Sequence, residues 1–128
     1  MACVLLIDDD DFTRRTVGRT LERQGHSVVA VTSGREALAE LSGGQSQPDL
    51  ALTDIMMPDM DGLELIPLLR KAQPGLKIIA MSAGSQLMQN NFLREARLLG
   101  AHETLLKPCS GVDLTAAIGR VLAGELSS

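Results

Sequence analysis

Four short stretches carry side chains suited to acid, base or metal chemistry: Asp8-Asp9-Asp10-Asp11, Thr53-Asp54, Ser82-Ala83-Gly84 and Lys107-Pro108. Each directly follows a short apolar run. If those runs are parallel strands, their carboxyl ends share one edge, where ligands bind in open α/β sheets. Asp8, Asp9, Asp54, the Ser82 hydroxyl and the Lys107 ammonium then converge. Three carboxylates at close range repel, and each is costly if desolvated without a partner. A divalent cation resolves the conflict. Oxygen donors that are few in number and leave room for water suit Mg²⁺ better than an enclosed calcium cage. The aspartate run lacks EF-hand spacing, and no His or Cys lies in the cluster to favour zinc.

Each stretch also has a bland reading. Four aspartates before a helix are, on their own, more often a cap with favourable dipole charges than a metal site. A lone Lys-Pro is usually a turn, and Ser82 alone could be a satisfied hydroxyl or a helix cap. The shared position at the ends of four separate runs is what separates the two readings.

The runs are Val4-Leu5-Leu6-Ile7, Val28-Val29-Ala30-Val31, Leu50-Ala51-Leu52, Ile78-Ile79-Ala80-Met81 and Thr104-Leu105-Leu106. They are continuous rather than alternating, as strands buried on both faces should be. Helical spacing lies between them, clearest in the last segment, where Leu114, Ala117, Ile118, Val121 and Leu122 form one stripe. Helix starts are marked by Ser33 with Glu36, by Ser110 with Asp113, by Asp10 or Asp11, and by Asp61. Pro67 falls inside the third helix and should bend it or disturb its start. Five strands alternating with five helices predict an α/β fold, a single doubly wound parallel sheet with right-handed crossovers. Of the two doubly wound orders, five strands in one small domain favour the flavodoxin-like 2-1-3-4-5. Residues 1–124 are read as the domain and 125–128 as a tail or the start of a linker.

At 128 residues the chain suits one domain whose core needs neither disulfides nor structural zinc. Twelve basic residues against sixteen acidic give a net charge of −4, and only Phe12 and Phe92 are aromatic. That balance argues against direct nucleic-acid binding. No apolar run approaches the roughly 20 residues of a membrane span. Cys3 and Cys109 are too few for a disulfide framework and, at opposite ends of non-adjacent strands, too far apart to bridge. Cys3 is expected to pack as a small buried hydrophobe. For Cys109, a thiol whose pKa is lowered by Lys107 competes with a small residue tolerated in a loop.

The chain resembles the receiver domain of bacterial two-component response regulators. The matching segments are Val4-Leu5-Leu6-Ile7-Asp8-Asp9, Thr53-Asp54-Ile55-Met56-Met57-Pro58-Asp59-Met60-Asp61-Gly62, Ala80-Met81-Ser82-Ala83 and Leu106-Lys107-Pro108. The resemblance implies a cytoplasmic signalling switch rather than a turnover enzyme. Asp54 would accept a phosphoryl group from a histidine kinase or histidine phosphotransfer protein. Mg²⁺ would be held by Asp9 directly, by Asp8 partly through water, by Asp54 and by the backbone carbonyl of Met56. Ser82 and Lys107 would bind the phosphoryl group, with backbone N–H groups near Ile55, Met56 and Ala83. Output would pass through the face formed by the fourth helix, fifth strand and fifth helix, from a monomer or a phosphorylation-dependent dimer.

Several positions depart from that pattern. Thr104 stands where many receivers carry a switching Tyr or Phe, and Cys109 where an aromatic often follows Lys-Pro. Neither Met56 nor Gly84 can activate a water, so spontaneous dephosphorylation should be slow. The fourth helix, about residues 86–99, carries Arg94, Arg97 and Phe92 and could form a partner or dimer face or simply a solvated one. A haloacid-dehalogenase-type phosphatase would need an aspartate where Met56 stands. Nucleotide- and flavin-binding modules would need glycine-rich loops that are missing.

Overall fold

The computed structural model describes residues 2–43, 47–82 and 94–124. Strands β1 (Cys3–Ile7), β2 (Ser27–Val31), β3 (Leu50–Asp54), β4 (Lys77–Ser82) and β5 (Glu103–Leu106) form one parallel sheet in the order β2-β1-β3-β4-β5. Helices α1 (Asp11–Arg23), α2 (Gly34–Gly43), α3 (Gly62–Ala72), α4 (94–99) and α5 (Gly111–Leu122) cover it. The expected order 2-1-3-4-5 is the observed one.

The central strands are apolar throughout because both sides are packed. Leu5, Ile7, Ala51, Ile78 and Ala80 face Ala37, Leu65, Ile66, Leu69 and Ala96 of α2, α3 and α4. Val4, Leu6, Leu50, Leu52, Ile79 and Met81 face Val17 and Leu21 of α1 and Leu114, Ala117, Ile118 and Val121 of α5. Each fully buried large side chain contributes about 1.5–3 kcal/mol relative to exposure. The edge strands differ from expectation. In β2 only Val31 is fully buried, and in β5 only Glu103, because an edge strand has one unpaired margin. Leu122, counted in the stripe of α5, is exposed.

The helix starts are mostly as read. Asp10, not Asp11, caps α1 by accepting from Thr13 N–H at 2.8 Å. Asp61 caps α3 and Ser110 caps α5. At α2 the box is shifted. Ser33 Oγ accepts from Glu36 N–H at 3.1 Å, but Glu36 Oε1 reaches back to Thr32 N–H and its hydroxyl, at 2.6 and 2.7 Å. Pro67 lies inside α3, which continues through it to Ala72.

Cys3 is partly exposed rather than buried, and its thiol is pushed above the ordinary value by burial and by Asp49. Of the two readings of Cys109, the structure does not bear out the lowered pKa. Burial and Asp113 raise it more than Lys107 lowers it, and its Sγ donates to Leu106 O at 3.2 Å. Among the described residues, no helix is long and apolar enough to cross a membrane.

Candidate active site

Parallel register sets the site. Ile7 pairs with Thr53, Asp54 with Met81 and Ser82 with Leu106, so β1, β3, β4 and β5 end at one edge. Asp8 follows β1 and is fully buried, and Asp9 is exposed beside it. Asp54 is the last residue of β3 and only 5% exposed. Carboxylate oxygens of these three aspartates lie within 4.8 Å of one another. Lys107 Nζ sits between two of them, 2.7 Å from Asp8 Oδ2 and 3.3 Å from Asp54 Oδ1. Ser82 is fully buried at the end of β4, and its backbone oxygen accepts from Lys107 N–H at 2.9 Å.

The surrounding backbone holds these groups in place. Asp8 Oδ1 accepts from Asp10 N–H at 2.9 Å, and Asp8 O accepts from Arg14 Nη1 at 2.8 Å. Arg14 also pairs with Asp11, so the start of α1 is tied to the β1 terminus. Met56 N–H donates to Asp54 Oδ1 over 3.4 Å, while the Met56 side chain is 48% exposed. Ile55 N–H donates to Met81 O at 3.0 Å, and Gly62 N–H to Ile55 O at 2.7 Å. A Cβ at Gly62 would stand 2.7 Å from Asp54 O and 2.8 Å from Ile55 Cα. Only glycine lets α3 begin that close to the strand. The lone signal for this contact in the sequence is the Asp61-Gly62 pair, and the Arg14 contact has none.

The electrostatics follow from burial. Desolvation pushes the Asp54 carboxyl above its usual pKa and Asp8 adds to the effect, against the opposing pull of Lys107. Burial alone would lower the Lys107 ammonium, but Asp8 and Asp54 outweigh it and raise its pKa. Asp8 and Asp54 thus share one ammonium, with a third carboxylate, Asp9, beside them. Six-coordinate Mg²⁺ takes oxygens at about 2.1 Å, which places opposite ligands roughly 4.2 Å apart. A spread of 4.8 Å needs to contract only slightly, all donors are oxygen, and exposed Asp9 leaves room for water. The donor set fits a hard divalent cation.

The model of the response regulator receiver domain matches residues 4–119. This chain belongs to that family. Receiver domains are the signalling switches of two-component systems; taking up a phosphoryl group and binding Mg²⁺ at an acidic pocket are general to them. The chain is 34% identical, over 95% of its length, to the DNA-binding transcriptional regulator NtrC of Rhizobium meliloti (strain 1021). It is 36% identical over its whole length to the transcriptional regulatory protein AfsQ1 of Streptomyces coelicolor. It spans 24% of the former and 55% of the latter. The crystal structure of a receiver domain protein from Clostridium thermocellum superposes with a TM-score of 0.86 at 27% identity, covering 97% of this chain and 96% of that one. A CheY-like receiver from Methanospirillum hungatei gives 0.84 at 30% identity, covering 97% and 95%.

One departure noted in the sequence has a structural setting here. Thr104 is half-buried in β5, and its Oγ1 accepts from Arg97 Nη2 of α4 at 3.3 Å. Ala83, Gly84 and Phe92 lie outside the described residues, as does the expected fourth helix before residue 94.

Proposed function

We propose that this receiver accepts a phosphoryl group on Asp54 from a phosphohistidine of a histidine kinase or phosphotransfer protein. The observation carrying this is the buried Asp54 carboxylate held 3.3 Å from Lys107, with oxygens of Asp8 and Asp9 within 4.8 Å. An Asp54 oxygen attacks phosphorus in line with the leaving imidazole. The new P–O bond forms as the P–N bond breaks, and the electron pair leaves with the imidazole nitrogen. Asp8, Asp9, Asp54 and the Met56 carbonyl would hold Mg²⁺, which supplies charge neutralisation on the equatorial phosphoryl oxygens. Lys107 exchanges its bond with Asp54 for one to the phosphoryl group, and the Ser82 hydroxyl donates a second contact.

A groove of about 280 Å³ lined by Phe12, Thr13, Met81, Pro108 and Cys109 opens beside Lys107 and suits the approach of the phosphodonor helix. Output runs through the α4–β5–α5 face, where Leu98 is 80% and Leu106 49% exposed, toward a protein target or a second copy. No direct contact with nucleic acid is assigned. The unit is cytoplasmic and spans residues 1–124, with 125–128 as tail or linker. Incubation with acetyl phosphate and Mg²⁺ should add one phosphoryl group per chain, detected by intact mass and lost in Asp54→Asn. Full labelling of that variant overturns the assignment.

A further inference from the structure

Asp8, Asp9 and Asp10 join β1 to α1, and the three are held very unequally. Each oxygen of Asp8 has a partner. Its Oδ1 accepts from Asp10 N–H at 2.9 Å, its Oδ2 from Lys107 Nζ at 2.7 Å, and its backbone oxygen from Arg14 Nη1 at 2.8 Å. Asp10 is anchored by its cap bonds to Thr13, accepting from the N–H at 2.8 Å and from the hydroxyl at 2.7 Å. The Asp9 side chain is exposed and makes no hydrogen bond or ion pair among the described residues. Where it stands is therefore set by the backbone on either side. Arg14 grips both sides: its own N–H donates to Asp10 O at 3.0 Å while its guanidinium donates to Asp8 O. The second guanidinium nitrogen pairs with Asp11, and the Arg14 side chain is only 18% exposed. One residue of α1 thus straddles Asp9.

We propose that Arg14 is a positioning residue for Mg²⁺: by holding the backbone oxygens of Asp8 and Asp10, it presents the Asp9 carboxylate to the ion beside those of Asp8 and Asp54. The role rests on the metal reading of this acidic pocket. A ligand on a fixed backbone gives up less freedom when the ion arrives, and loss of such an outer partner weakens metal sites by about 10- to 100-fold. The charge of Arg14 acts the other way, since a cation beside a cation site opposes binding. Hold and field therefore predict opposite signs. They also separate in a lysine, which keeps the charge but is a point donor that cannot span Asp8 O and Asp11 as a planar guanidinium does.

The test is calorimetric titration of Mg²⁺ into the full chain and its Arg14→Gln, Arg14→Lys and Arg15→Gln variants, with folding checked by circular dichroism in the absence of metal. Kd should rise about tenfold in both Arg14 variants and match the parent in Arg15→Gln, on an exposed neighbouring position. The Mg²⁺ concentration that half-saturates labelling by acetyl phosphate should rise in step, whereas a merely structural defect lowers labelling at every Mg²⁺ concentration. Should Arg14→Gln misfold, Arg14→Lys decides, because it keeps the charge and a long apolar stem. The proposal is overturned by a parent-like Kd in Arg14→Lys, by tighter binding in Arg14→Gln, or by an equal loss in Arg15→Gln. A parent that takes up no Mg²⁺ overturns the metal reading itself, and the role of Arg14 with it.

Discussion

At Asp54, burial and charge act against each other. The fold holds a carboxylate whose ionisation it disfavours, so its pKa is raised. A carboxyl with a raised folded pKa costs stability as pH rises above the ordinary 3.8, and the cost is complete once pH exceeds the folded value. Asp54→Asn should therefore abolish phosphoryl uptake yet raise the melting temperature measured without divalent ions. A lowered melting temperature would show that the Lys107 contact outweighs the repulsion. Met56 supplies a second residue-scale test. Its half-exposed thioether offers nothing to orient water, so Met56→Asn should shorten the acyl-phosphate lifetime, about tenfold if the amide positions the attacking water. Arg97 reaches Thr104 where an aromatic ring is common in the family. Arg97→Ala tests whether that hydrogen bond couples α4 to β5.

Among the elements, α3 carries the tightest constraint. Its start passes so close to Asp54 and Ile55 that a methyl group meets backbone, which cannot swing aside as a side chain could. Gly62→Ala should cost about 1–3 kcal/mol and slow phosphorylation, because relief requires moving the loop that carries Asp54. Asp61→Ala, which removes only the cap, should cost about 1 kcal/mol and leave labelling intact. Denaturant melts paired with acetyl phosphate labelling separate the two. In the opposite corner, Glu103 and Arg120 tie β5 to α5. That pairing explains a carboxylate buried in a strand otherwise read as apolar.

For the whole molecule, two conditions should move stability in known directions. Ligand binding to the folded state alone stabilises by mass action, about 2.7 kcal/mol at a hundredfold excess over Kd. Mg²⁺ should raise the melting temperature of the parent and much less that of Asp9→Ala, whose exposed side chain makes no hydrogen bond or ion pair among the described residues. Acid acts through His102. Its folded pKa lies below 6.5, so its contribution is complete above 6.5 and is lost as pH falls through the window below that value. Chemical denaturation at pH 7 and pH 5 should show the loss, and His102→Gln should flatten it.

The strand order, the caps at Asp61 and Ser110, and the gathering of Asp8, Asp9, Asp54 and Lys107 were all legible in the chain, because periodicity, capping and strand-end position are local properties. So was family membership, carried by the run from Thr53 to Gly62. Contacts between residues far apart in sequence were not. Nothing local shows that Lys107 bonds Asp8 more closely than Asp54, or that Glu36 reaches past Ser33 to Thr32. Nor does it show that Cys109 is raised by its surroundings, or that the Arg70 guanidinium lies against Gly100. Local pattern decides which elements form and which residues end them. Packing decides distance, burial and the net field at each charge, since those sum over neighbours that the sequence leaves unspecified.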